Sequence, residues 1–210
     1  MKKSVDKPIP LSYNCGMSNE SEYGVESASG GEVLVLSELH EAHPGYTQVL
    51  HDSYCESARV CLSQFHASPT AIIVEVNDET HNDQLIWEAT DQQTRNAQAN
   101  LSDAACNGAY AISILCVERK FRFVAVGRAE ELTGADWYIA PPGLGVDELG
   151  APDLDCEDVL RLEVSGTVTG PTGARVTKKK KQLKDGQSSI PGIASIVGFK
   201  RPIVIITSQD

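Results

Sequence analysis

The sequence predicts an α/β protein with an acidic N-terminal part and a basic segment near its C-terminus. Three observations carry this expectation. β-branched runs bounded by turn residues alternate with stretches whose apolar residues recur every three or four positions. The composition is 41% apolar and 22% charged over 210 residues, ordinary for a globular chain and incompatible with a fibrous repeat or wholesale disorder. The net charge of −11 is unevenly spread. Residues 1–110 hold 5 basic and 16 acidic side chains, whereas 161–201 hold 9 basic and 2 acidic. The total charge argues against a polyanion ligand, but the local excess leaves room for one.

Residues 1–30, with Pro8, Pro10 and a Ser/Asn/Glu-rich stretch ending in Ser29-Gly30-Gly31, read as a flexible tail. Residues 31–104 read as an acidic α/β part. Glu32–Leu36 suits a short strand. Val49, Leu50, Tyr54, Ala58, Cys61, Leu62 and Phe65 define one face of a helix that Pro69 must follow. Thr70–Val76 is β-branched and reads as a strand. Asn77–Asp83 reads as a polar loop, and Gln84–Ala89 as the strand returning from it. Helix is expected from Asp91 to about Arg119, with Asp103 a plausible N-cap. The run Ala109–Val117 is apolar on nearly every side, so that helix should be buried.

Beyond it, Phe121–Val126, Asp136–Ala140 and Val159–Ser165 read as strands. Ala174–Asp185 reads as a short basic helix closed by Gly186, and Ile193–Phe199 and Ile203–Ile206 as final strands. Trp87 and Trp137 are expected in or near the core.

The order from residue 105 is helix, strand, strand, strand, helix, strand, and two acidic residues, Asp136 and Glu163, fall on the middle strands. This half resembles the PD-(D/E)XK nuclease superfamily. The resemblance implies a restriction-endonuclease-like core over 105–210, a mixed central sheet flanked by helices, with the acidic part as an N-terminal extension. It implies that Asp136 and Glu163 hold Mg²⁺, with Glu118 as an additional carboxylate and Gln182 as a supporting polar group. Two converging carboxylates suit a hard divalent cation that polarises a phosphodiester. The pattern's lysine position is occupied by Ser165. An ammonium must then come from elsewhere, and Lys178 and Lys181, on the basic helix that also carries Gln182, are the first candidates. Arg175, Lys178, Lys179, Lys180, Lys181 and Lys184 are candidate nucleic-acid contacts.

Each residue has a plainer reading. Asp136 suits a turn or strand start, Glu163 a structural pair with Arg128 or Arg161, and the lysine run a solvated surface. The expected function is therefore metal-dependent cleavage of nucleic acid, or engagement of nucleic acid by a degenerate core, in keeping with a defence or mobile-element setting. The rival is a non-catalytic subunit that binds a protein partner or a second copy of itself.

Other motifs point to less. His40-Glu41-Ala42-His43 lacks HExxH spacing, and zinc would need a third ligand such as His51. Cys55 beside His51 or His66 has no context that activates a thiol. The six cysteines contain no CxxC pair, and Pro142-Gly143-Leu144-Gly145 lacks a phosphate-loop lysine. With no export signal and no long apolar run, a cytoplasmic protein with no membrane partner is the expectation.

Overall fold

The computed structural model describes residues 31–209, so the 1–30 segment read as a tail lies outside the described residues. The elements follow the chain as β1 (Val33–Val35), α1 (Gln48–Ser63), β2 (Thr70–Val76), β3 (Glu79–Ile86), α2 (Gln92–Ala97) and α3 (Leu101–Phe121). There follow β4 (Val124–Arg128), β5 (Trp137–Ala140), β6 (Leu160–Thr167), α4 (Gly173–Asp185), β7 (Gly192–Gly198) and β8 (Ile203–Ser208). The eight strands form one mixed sheet in the order β1-β3-β2-β8-β7-β6-β5-β4. β4, β5 and β6 are antiparallel neighbours, β7 runs parallel to β6, and β8 returns antiparallel to β7.

The acidic part is built into the same sheet, because β2 pairs parallel with β8. The main apolar core runs from Leu34 to Ile206 and draws on α1, α3 and strands of both parts, with smaller clusters around Tyr138 and Leu183. The expected boundary at 104/105 falls inside α3, which starts four residues earlier under an Asn100 cap whose side chain accepts from Ser102 N–H. Asp103 lies in the first turn and does not cap it.

Pleating sorts the side chains between two faces. On β6, Leu162 and Val164 join the core with α3, whereas Arg161, Glu163 and Ser165 bond to residues of α4. On β7, Ile193 and Val197 face α3, while Ala194 and Ile196 pack on Leu183 of α4. The two helices therefore cover opposite faces at the same strands. Approach on the α3 side is close. A Cβ on Gly166 would lie 1.9 Å from the Ala105 carbonyl oxygen, and one on Gly108 would lie 2.6 Å from Ala58 Cα of α1.

Three local expectations need correction. The polar loop at 77–83 is a two-residue turn, with Asn77 and Asp78 both at positive φ, and β3 begins at Glu79. That geometry matches the twist of paired strands, so polar residues 81–83 stay in the ladder. Helix from Asp91 onward is broken into α2 and α3. The strand expected from Phe121 starts at Val124, because α3 continues through Phe121 and closes at Arg122 in the left-handed region. Among the described residues no helix is long and apolar enough to cross a membrane.

Candidate active site

Asp136 and Glu163 come together because β5 and β6 are adjacent. Asp136 stands one residue before β5, where its N–H donates to Leu162 O at 2.9 Å. Its carboxylate caps the neighbouring strand: Oδ2 accepts from Val164 N–H at 2.8 Å, and Oδ1 accepts from the Tyr110 hydroxyl of α3 at 2.7 Å. Glu163 sits in mid-β6 with a side chain only 2% exposed. Burial pushes its pKa up, and the Asp136 charge adds to the rise, against the lowering effect of Lys179, to about 7. Two carboxylates facing one ammonium carry an excess negative charge in a poorly hydrated place, which is the electrostatic setting a divalent cation relieves.

The ammonium is that of Lys179. Its Nζ donates to Glu163 Oε1 and, at 3.1 Å, to Gln182 Oε1. The first candidates, Lys178 and Lys181, are not against Glu163. The reason is helical phase. Val176 and Leu183 pack α4 onto the sheet, and Lys179, three residues after one and four before the other, shares their face. Lys178 and Lys184 are exposed, and Lys181 is exposed and pairs with Asp185 on the outer surface. Arg175 reaches inward from the first turn, donating to Ser165 Oγ at 3.1 Å. Ser165 thus meets one cation of α4, Arg175, and Glu163 another, Lys179.

Glu118 does not join this site. It lies eight residues beyond Tyr110 on α3, about 12 Å along the axis. Its Oε1 accepts from His40 N–H at 2.8 Å and its Oε2 pairs with His43 Nε2 at 2.9 Å. Burial opposes ionisation there, but these hydrogen bonds outweigh it and leave the pKa lowered. Glu118 anchors the 40–43 loop and does not reach the carboxylates expected to share a metal with it. Among the described residues no group of three or more His, Cys, Asp or Glu side chains is gathered to hold a metal. His40 meets Arg119 at 2.7 Å, while His51 sits with Tyr46 and Cys55, so the three histidines go to different places.

The remaining alternatives resolve in the same way. Arg161 does not pair with Glu163. It donates to Ile190 O at 2.7 Å, Leu183 O at 3.2 Å and Gln209 Oε1 at 3.1 Å, and to Thr133 O. This fully buried guanidinium ties the loop before Asp136 to the end of α4. Gly134, at φ 75°, completes the approach, since a Cβ there would lie 2.3 Å from Gln182 O. Arg128 lies over the rings of Tyr110 and Trp137, 5.1 and 4.5 Å from their centroids. Cys55 is buried, its thiol donates to Leu36 O, and burial pushes its pKa up to about 12, so it is no nucleophile at neutral pH. His66 bonds to Phe199 O instead of Cys55.

A cavity of about 250 Å³ opens beside Asp136, lined by Tyr110, Asp136, Ser165, Arg175, Lys178 and Lys179 among others, with Glu163 buried behind Lys179. Lys178 also borders a wider groove of about 660 Å³ between the 129–135 loop and α4, with Arg128 on its rim. Sequence reasoning missed Tyr110, whose polar tip was hidden in an otherwise apolar run, and placed Arg128 in the wrong partnership. No family model matches the chain, and neither a curated protein nor a solved structure matches it.

Proposed function

We propose that this protein is a metal-dependent phosphodiesterase acting on nucleic acid, with a restriction-endonuclease-like core. The observation that carries the reading is that Asp136 and Lys179 line one cavity from separate elements, with the Glu163 carboxylate of a third element held directly behind the Lys179 ammonium. The order α3-β4-β5-β6-α4-β7, with one carboxylate on β6 and the other just before its neighbour β5, agrees with the PD-(D/E)XK resemblance.

The donor set fits Mg²⁺, which is commonly held by one or two carboxylates together with water and substrate phosphate. Asp136 and Glu163 would hold it, and when bound it supplies positive charge to a phosphoryl oxygen and to the attacking water. The chain's own groups do the rest. Tyr110 and the Val164 N–H fix the Asp136 carboxylate, so it needs no reorganisation on binding. Lys179, kept near Glu163 by Gln182, stabilises charge developing on the phosphate or orients the water. Arg175 and Lys178 hold the flanking phosphates.

Cleavage of plasmid and single-stranded substrates with Mg²⁺ or Mn²⁺ tests this. Asp136→Asn, Glu163→Gln and Lys179→Met should each reduce the rate by about 10³-fold or more while the fold persists. Cleavage that survives all three overturns the reading. One observation favours the rival, a non-catalytic subunit binding a protein partner: Lys179 lies directly on Glu163, as in a structural ion pair. No cleavage, together with a melting temperature unmoved by Mg²⁺, supports that rival.

A further inference from the structure

We propose that the substrate strand is single-stranded, and that an unpaired base beside the scissile phosphate stacks on the surface formed by Tyr54 and Arg128. This rests on the phosphodiesterase reading and names the substrate class of the same site.

Four aromatic rings form a connected wall, and one of them, Tyr110, lines the cavity. Tyr46 and Tyr54 are stacked with centroids 6.0 Å apart, Tyr54 and Tyr110 lie 5.1 Å apart, and Trp137 meets both Tyr46 and Tyr110 edge-on at 5.3 and 6.0 Å. The inner members, Tyr46 and Trp137, are buried and belong to the core, whereas Tyr54 and Tyr110 are only half-buried. The wall is tied to the carboxylates. Tyr110 donates to Asp136, and the Tyr54 hydroxyl, its pKa raised by burial first, also feels the charges of Arg128 and Asp136. Arg128 completes it as an exposed, planar cation lying over Tyr110 and Trp137, with no carboxylate paired to it among the described residues.

A base presents a flat face to such a surface only when its neighbour in the stack has been lost. Within a duplex those faces are covered. Stacking on aromatic rings and on guanidinium planes is accordingly a device for single strands and requires no particular base. The dimensions agree. The cavity at Asp136, about 250 Å³, admits one phosphate with its sugar but not a stacked base pair, and Lys178 lines both it and the open groove that has Arg128 on its rim. A single strand can run from the aromatic wall across Asp136 and Glu163 and along the exposed lysines.

The test is fluorescence anisotropy with the full chain, in Ca²⁺ to hold substrate without turnover. The probes are labelled oligothymidylate, oligouridylate and a DNA duplex of equal length. Either single strand should bind at least about tenfold more tightly than duplex, and the two single strands distinguish a DNA from an RNA substrate. Arg128→Ala and Tyr54→Leu should each weaken single-strand binding about tenfold and leave duplex binding unmoved. Arg128→Lys should weaken it as well, because it keeps the charge and loses the plane. Arg128 is exposed, so its variants report even if Tyr54→Leu lowers the melting temperature. Duplex bound as tightly as single strand, or single-strand binding unchanged in both Arg128 variants, overturns the proposal. Cleavage assays of Asp136→Asn on the same oligonucleotides judge the phosphodiesterase reading separately. A chain that binds single strands through Arg128 without cutting them defeats that reading alone, and a chain that cuts duplex preferentially defeats only the present proposal.

Discussion

Glu118 and Glu163 are both glutamates buried to within a few per cent, and their surroundings give them opposite properties. Glu118 is satisfied by its neighbours. A histidine ring and a backbone N–H converge on it, and its pKa falls. Glu163 has one ammonium shared with Gln182 and a second carboxylate beside it, and its pKa rises. A fold gains from the first arrangement and pays for the second. Such unrelieved charge in a cavity is the usual mark of a site kept for a ligand. Burial alone does not separate a structural carboxylate from a chemical one; the count of donors against acceptors does.

Substitutions at the two glutamates give the sharpest contrast. Glu163→Gln should abolish metal-dependent cleavage, by about 10³-fold or more, whereas Glu118→Gln should leave the rate per folded molecule unchanged. Equal losses at both positions would erase the distinction. In urea titrations Glu118→Gln should cost about 3 kcal/mol, since it removes a charged acceptor from two buried hydrogen bonds.

The pH dependence runs the other way at Glu163. The folded chain holds that proton up to about pH 7, and the unfolded chain releases it near 4.5. The folded state therefore binds more protons in that window. Its stability should fall by about 3 kcal/mol as pH rises from about 4.5 to 7, and then level. Measured in EDTA, Glu163→Gln should flatten this slope; an unchanged slope would mean that Glu163 is not the group responsible. The smallest effect is expected on the outer face of α4. Lys181→Ala, which breaks an exposed pair with Asp185, should change stability by no more than about 0.5 kcal/mol and leave cleavage intact, in contrast to Lys179→Met.

Much of this was legible in the sequence, for reasons that differ by residue. β2 is found at the expected Thr70–Val76, because a run of β-branched residues ending at Asn-Asp leaves little alternative. Asp136 and Glu163 were identifiable as a pair since consecutive strands in a meander are neighbours. Lys179 was legible in principle, as Val176 and Leu183 fix which side of α4 faces the sheet, but adjacency to Gln182 pointed to the wrong lysines. Glu118 was misplaced because a helix of 21 residues spans more distance than the site does. Tyr110 and Arg128 depend on contacts between distant segments, and no local pattern records those.

The pairing of β2 with β8 has a further consequence. β8 is the last strand in the chain, and the side on which β2 pairs carries a row of backbone donors and acceptors with Ile203, Val204 and Ile206 buried around them. In a fragment starting at residue 105 that row would lie open, ready to recruit the same strand from another molecule. In the whole chain β2 covers that row, so the acidic part closes an edge that the C-terminal part alone would leave unpaired.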